Sequence, residues 1–489
     1  MPEWSQSPGR RTAKQDKRAA LFAVAIANLL VMMSLSPVST ALPTIANDLG
    51  VSATTASWAV TSFLLTLVGL LLTSGRLGDL LGHQRVFFWG TVIYTVSGVL
   101  CGFSQDILQL IILRAIQGIG TAFMSGTSLA ILANKFAPEE RGRAVGVAGM
   151  AASLGALIGV LLSSVFSQYL SWRWLFFSLL PLGLMSIKGA IDLRTDAQPE
   201  KKTKIDTLGA ALLAVVLVVF TLAFSHLHGG EATFAAGAPY HVGMLGATLV
   251  LAAIFLWVEI RHPDPMVQVR QLRQAVFTMS VGANGIMHMT MMGVTFLIPF
   301  LVERGLGLTP LFTAGMLIAT NVTNLAMAPF SGWLYDKTRW KFLPSLGMFL
   351  LGGGLVGLGL LANGLAYWGF LVISVILGMG LGLFMTPNNT VILGVLPPTH
   401  RGFAVGMLET SRQLGHTLGV SASSAVLGLV VVTSLPIMGE RAAYMQGFQM
   451  ATFTAGAVTF IGMILAMISS RAPALREGLE LAPAAQSTT

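Results

Sequence analysis

The sequence predicts an all-α, polytopic membrane protein made of two related halves. Of its 489 residues 54% are hydrophobic and only 10% charged, and the mean hydropathy is +0.75. Apolar stretches of twenty or more residues recur along the chain, each long enough to cross a hydrocarbon core of ~30 Å. Lastly, the polar turns between these stretches occur in matching pairs. A transmembrane barrel would need short alternating strands, and none is visible.

The first of those turns organises the chain. Gly75-Arg76-Leu77-Gly78-Asp79-Leu80-Leu81-Gly82-His83-Gln84-Arg85 separates two long apolar runs and so belongs at a membrane face. Its glycines allow a tight reversal between helices. Asp79 is expected where the second helix begins, its carboxylate complementing the positive helix end. A reduced copy, Gly332-Trp333-Leu334-Tyr335-Asp336-Lys337, follows between two later apolar runs. Arg141-Gly142-Arg143-Ala144-Val145-Gly146 recurs in the same way as Arg401-Gly402-Phe403-Ala404-Val405-Gly406. The displacement is 257 residues for the first pair (336 − 79) and 260 for the second (401 − 141). One nearly constant displacement is the trace of a transporter built from repeats.

About fourteen spans can be laid out, beginning near residues 19, 53, 86, 107, 143, 174, 207, 241, 275, 310, 341, 366, 402 and 446. They divide the chain into a basic tail (1–18), a six-helix half (19–195) and a linker (196–206). A two-helix hairpin (207–261), a second linker (262–274), a second six-helix half (275–470) and a tail (471–489) complete it. The hairpin has no counterpart in either half and is expected to pack outside them. Of 29 Lys and Arg residues, 23 fall in segments assigned inside and only Arg173, Arg304 and Arg441 outside. Arg114, Lys188 and Arg412 lie within spans. This bias puts both termini in the cytoplasm of a cell-membrane (inner-membrane) protein. It also accounts for the net charge of +9, so no nucleic-acid partner is implied.

Met1 to Arg18 is polar, basic and expected to be disordered, with no cleavage site after the first apolar run, so a retained helix is expected. The lone Cys101 rules out an internal disulfide and any thiolate cluster. The eight histidines are scattered and no Asp/Glu cluster appears. No enzyme, metal site or cofactor is expected. No soluble output domain is present, so a sensor is not expected either.

The turn from Gly75 to Arg85 resembles the loop between helices two and three of the major facilitator superfamily. Arg114-Ala115-Ile116-Gln117-Gly118-Ile119-Gly120 resembles that family's helix-four signature. Ala41-Leu42-Pro43-Thr44-Ile45, Ser171-Trp172-Arg173-Trp174 and Arg412-Gln413-Leu414-Gly415 are similar to its fourteen-helix drug:proton antiporter branch. The resemblance covers roughly Ala19 to Ser470 and implies two six-helix halves that rock about a central cavity, exposing it to each side in turn. The chain departs from the branch in two places. The aspartate of the first helix falls here at Ser34, and the Gly-Pro of the fifth at Gly159-Val160.

The expected cavity residues follow from polar groups placed inside spans, where an unsatisfied group is expensive. The first helix is expected to end at Ser34 to Pro43, with Pro37 kinking it and Ser34 and Ser39 facing the cavity. Arg114 and Gln117 share the fourth helix. An arginine there costs at least ~2.5–3.5 kcal/mol on insertion scales, so it should face protein or water. It contacts a carbonyl at a helix break, a substrate anion or a coupling site. The fifth helix presents Gly146, Gly149, Ala152, Ser153, Gly155, Ala156, Gly159 and Ser163, spaced to let another backbone approach.

In the second half, Asn284, Met287, His288, Met291 and, further on, Asn388 complete the set. A methionine cluster suits a wall that adapts to varied greasy ligands, and equally a soft packing filler. Glu409, Arg412, Gln413 and His416 are spaced i, i+3, i+4, i+7 and share a face. Glu409 and Arg412 form either a structural or gate pair or a replaced proton site. Glu409, His288 and Arg114 are the candidate coupling groups; His288 is otherwise a packing residue. Gly75, Asp79, Gly82, Arg85, Arg141, Asp336, Arg401 and Arg412 form the expected gate and conformational motif. Together these imply a monomeric secondary transporter exporting lipophilic or amphipathic compounds, with membrane lipids and protons as partners. The alternative is a facilitator or flippase for an anionic amphiphile, without the usual proton coupling.

Overall fold

The computed structural model describes residues 13–193, 207–224, 234–262, 271–338, 340–362, 367–397 and 401–471. Among them the chain is helical throughout, without strands. The helices are α1 (Ala13–Asp48), α2 (Ala53–Leu81), α3 (His83–Gly102), α4 (Ile107–Lys135), α5 (Pro138–Tyr169), α6 (Arg173–Phe177) and α7 (Leu179–Asp192). Then come α8 (Thr207–Phe224), α9 (Phe234–Arg261), α10 (Ala275–Phe300), α11 (Pro310–Thr338) and α12 (Leu343–Leu361). The last three are α13 (Tyr367–Val395), α14 (Arg401–Met438) and α15 (Glu440–Arg471). Thirteen spans among the described residues are long and apolar enough to cross a membrane, with α6 and α7 sharing one. The fourteenth expected span corresponds to α8, whose apolar stretch, Ala211–Phe220, is shorter.

The helices fall into two compact units, residues 1–51 with 58–218, and residues 52–57 with 219–489. In the first unit α1 packs along α5, and α3 along α4 and α7. In the second, α10 packs along α14, α11 along α13, and α12 along α13 and α15. The same close approaches recur in both units, and glycine makes them possible. A Cβ on Gly118 would lie 2.4 Å from the carbonyl oxygen of Phe63, and one on Gly378 would lie 2.4 Å from that of Thr320. A Cβ on Gly90 would lie 2.9 Å from Gly120 O, and one on Gly347 2.6 Å from Gly380 O. The Ser74 hydroxyl donates to Ala122 O at 2.7 Å, and that of Ser331 to Gly382 O at 2.7 Å. From Phe63 to Thr320, Gly90 to Gly347 and Ser74 to Ser331 the displacement is 257. For their partners it is 260. The repeat written in the turns is therefore also a repeat of helix contacts.

The expected small-residue face of α5 is used in part. Gly155 lies against Leu29 O and Gly159 against Pro37 and Met33 of α1, whereas Gly146 and Gly149 have open space beside them. In the second unit Gly415 meets Gly285 O and Gly419 meets Met289 O of α10. Each unit also has an ion pair at helix ends, between α1 and the start of α6 in the first and between the turn after α10 and the start of α15 in the second. Arg173 Nη1 lies 2.7 Å from Asp48 Oδ2, which also accepts from Trp172 Nε1 at 2.9 Å. Arg304, in a π turn after α10, lies 2.7 Å from Glu440, and Arg441 Nε donates to Gly305 O at 2.9 Å.

Three expectations need correction. Residues 13–18 of the basic tail already belong to α1, while residues 1–12 lie outside the described residues. The first helix does not end at Ser34 to Pro43. It runs through Pro37 and Pro43 to Asp48, and the Ser163 hydroxyl of α5 donates to Pro37 O at 2.7 Å. Asp79 is in the last turn of α2, before the turn, since α2 continues to Leu81 and the reversal is confined to Gly82 at φ 92°. That φ suits glycine alone.

The linker 196–206 and most of the linker 262–274 lie outside the described residues, as does 472–489 of the last tail. The hairpin is held by its own polar contacts: Tyr240 OH donates to Leu222 O at 3.1 Å, and His241 Nδ1 lies 2.6 Å from Ala223 O. Only 11% of the apolar window of α9 is buried.

Candidate functional site

Among the described residues of the first unit, one charged side chain is buried. Arg114 of α4 is fully buried. Its Nη1 donates to Ser34 Oγ at 2.7 Å and to Gln117 Oε1 at 2.7 Å, and its Nε donates to Ala59 O at 2.9 Å. The guanidinium lies 4.2 Å from the centre of the Phe63 ring, a cation–π contact. Ser34 and Gln117 are also fully buried, and Tyr94 OH donates to Leu30 O on the facing turn of α1. Among the described residues no carboxylate bonds to Arg114. Its Nη2, like Gln117 Nε2, is a buried donor without an acceptor among the described residues.

Three expected site residues, Ser34, Arg114 and Gln117, thus come together, and two go elsewhere. Pro37 is buried against Gly159, and the Ser39 hydroxyl turns back to Leu35 O of its own helix at 3.5 Å. Phe63 and Ala59 of α2 were not singled out from sequence. An aromatic or a carbonyl beside a buried cation leaves no mark in local spacing.

The second unit holds a larger polar cluster between α10 and α14. Asn284 Nδ2 donates to Ser411 Oγ at 2.8 Å and to Leu408 O at 3.3 Å. One turn further along α10, His288 Nδ1 lies 3.1 Å from Nε2 of His416. Glu409 and Arg412 pair at 3.1 Å within α14, and Gln413 Nε2 donates to Glu409 Oε1 at 2.7 Å. The shared face read from the i, i+3, i+4, i+7 spacing is real. Its far end, His416, reaches a partner on another helix that the spacing did not name. Met287 is fully buried and Met291 partly so. Asn388 of α13 donates to Ser280 O at 3.1 Å, away from the histidines.

Among the gate residues, Asp79 is exposed, its carboxylate 3.2 Å from His83 Nε2 at the start of α3. Gly75 lies near Gly126 O, Gly82 forms the reversal, and Arg85 is exposed. Asp336 is exposed in the last turns of α11. Arg141 and Arg401 begin α5 and α14, and their side chains lie outside the described residues. Beside Arg141, Glu140 is bound by Lys17 of α1, and that hydrogen bond holds its carboxyl below the usual carboxylate range.

The profile of the Major Facilitator Superfamily matches residues 24–420. The chain belongs to the major facilitator superfamily. It is a multi-pass membrane transporter of small molecules, and this superfamily and the relatives below are transporters rather than enzymes. The riboflavin transporter RibZ of Clostridioides difficile is 26% identical over 94% of this chain and 98% of its own length. The puromycin resistance protein pur8 of Streptomyces alboniger is 27% identical over 94% and 92%. The cephamycin export protein CmcT of Amycolatopsis lactamdurans is 30% identical over 86% and 87%. A bacterial homologue of the human lysosomal transporter Spinster, solved inward-facing and unoccupied, shares the superfamily fold. It has a TM-score of 0.67, 15% identity, and coverage of 95% of this chain and 98% of its own.

Proposed function

We propose that this transporter exports hydrophobic or amphipathic compounds across the cell membrane by ion-coupled alternating access. The observation that carries the reading is the polar inventory inside the units. Hydroxyls, amides, one unpaired guanidinium and a histidine pair lie among buried Met, Phe and Leu, with little fixed charge. Such an interior suits a largely apolar solute oriented by a few hydrogen bonds. The export and resistance roles named for CmcT and pur8 point the same way. Puromycin, a cephamycin and riboflavin are therefore the first compounds to assay, in proteoliposomes with and without an imposed proton gradient. Gradient-dependent efflux of at least one supports the reading, and none by any of the three counts against it. In this scheme Asp79, Arg85, Arg141, Asp336 and Arg401 set the resting conformer, and the protein works as a monomer.

A second reading, a facilitator or flippase for an anionic amphiphile, is favoured by one observation: Arg114 has no carboxylate partner where the antiporter branch carries an aspartate. Ser34→Asp separates the two. The new carboxylate would lie within reach of Nη1, which now bonds Ser34 Oγ at 2.7 Å. The second reading expects an anionic probe such as a fluorescent fatty acid to lose transport in this variant, while the first expects a neutral lipophile to be exported as before.

Glu409→Gln tests whether that acid carries the coupling ion. The carboxylate is partly exposed and pairs with Arg412 on its own helix, an arrangement worth about 0.3–0.5 kcal/mol. We expect stability and the pH dependence of efflux to stay close to wild type, as for a structural pair. A flattened pH profile would make Glu409 the coupling group. The lysine and arginine bias predicts both termini in the cytoplasm. A fluorescent-protein fusion at each end should therefore fluoresce, whereas a periplasmic phosphatase fusion at either should be inactive.

A further inference from the structure

We propose that His288 and His416 form a one-proton site that carries the coupling ion of this transporter. The inference rests on the export reading above and names the group that serves it.

The two rings sit on different helices, α10 and α14, each about 97% buried, with His288 Nδ1 and His416 Nε2 3.1 Å apart and the ring centres 5.0 Å apart. A nitrogen–nitrogen contact of that length requires one ring to donate N–H and the other to accept with a bare nitrogen. The pair is therefore a hydrogen bond in its neutral state. His416 Nδ1 is buried and has no hydrogen-bond partner among the described residues.

That nitrogen fixes the capacity of the site. A proton arriving from water adds to His416 Nδ1, and the imidazolium then donates from Nε2 to the bare Nδ1 of His288. No bond is broken. A second proton has to settle on His288 Nδ1, which would set two N–H groups against each other and destroy the contact. The pair accepts one proton and returns one to water, and intermediate stoichiometry is excluded by its geometry.

Arg412 and Glu409 share the face of α14 that carries His416, and the π turn packed against α10 carries Glu303 and Arg304. Arg412 is the cation facing both rings, and its charge is offset by Glu409 at 3.1 Å on the same helix. The only other ionisable side chain on α14 is Arg401 at its first residue, and α10 carries none but His288. Those on α13, α15 and α11 lie at helix ends: Tyr367; Glu440, Arg441, Tyr444 and Arg471; and Tyr335, Asp336 and Lys337. Gly415 lies beside His288, a Cβ there coming within 3.0 Å of His288 Cβ, so sliding of α14 along α10 would break the bond between the rings. Proton occupancy is in this way tied to helix position.

The test uses the full chain in lipid nanodiscs with ¹⁵N-labelled histidine. We expect a nitrogen–nitrogen coupling across one histidine pair, and a single-proton step in its titration. Both should vanish in His288→Gln and in His416→Gln. In proteoliposomes the same variants should abolish the response of puromycin efflux to the imposed gradient, whereas a merely structural loss would lower the rate and keep the response. Absence of the coupling in wild type, or a gradient response that survives both substitutions, overturns the inference. If wild type moves none of the probes, the export reading fails, while the nanodisc measurement still decides whether the pair binds its proton.

Discussion

Arg114→Met should leave the protein at least as stable as wild type while lowering substrate affinity roughly ten- to hundredfold. The side chain is fully buried and no carboxylate among the described residues pairs with it, so the fold bears the desolvation of a guanidinium without a counter-charge there. Replacing buried charges with apolar groups of similar volume is often neutral or stabilising. The groups left behind can adjust, since Ser34 Oγ already lies 3.5 Å from Gln117 Oε1 and can donate to it. In the proposed scheme this charge serves to bind the solute. Nη2 and Gln117 Nε2 offer two buried donors to an acceptor on the solute. A hydrogen bond to a charged group is worth about 1.5–3 kcal/mol, which gives the stated loss of affinity. Thermal unfolding and transport, measured on one preparation, check both halves of the expectation. Weaker stability with unchanged transport would make Arg114 a structural residue.

Gly419→Ala is expected to destabilise the second unit by about 1–3 kcal/mol, the usual range for overpacking. Its Cβ would come within 2.2 Å of Met289 O and 3.0 Å of Gly293 N, and both atoms are backbone, so α10 and α14 would have to separate. Gly149→Ala on α5 is the control. Nothing lies within 4 Å of that position, and alanine is the better helix former, so stability should hold or rise slightly. Equal melting temperatures for the two variants would show that the α10–α14 approach is looser than described.

Much of this architecture was readable because a membrane imposes it. Spans announce themselves by length and apolarity, and the 257- and 260-residue displacements between turns reappear as displacements between helix contacts. The small-residue face of α5 was readable too, although the spacing could not say which of its glycines lie against α1, Gly155 and Gly159 but not Gly146 and Gly149. What escaped the sequence depended on which helix faces which. His416 was visible as the fourth member of the Glu409 face, but its bond to His288 needs α14 laid along α10. The homologous contact of Gly155 with α1 could have suggested it. Asp79 was misplaced for a different reason. A glycine-rich turn reads as loop throughout, whereas one glycine at positive φ suffices for the reversal, and α2 runs on to Leu81.

The two end clamps have opposite polarity: Asp48 on the first helix of one unit meets Arg173, whereas Arg304 after the first helix of the other meets Glu440. Such exposed pairs add little stability, about 0.2–1 kcal/mol each. Their opposite polarity makes the two related seats distinguishable. Had α1 settled in the seat of α10, two carboxylates would confront each other at its end, and α10 in the seat of α1 would set guanidinium against guanidinium. A gene duplication that reverses one lock thereby discourages each lobe from borrowing its sibling's helices.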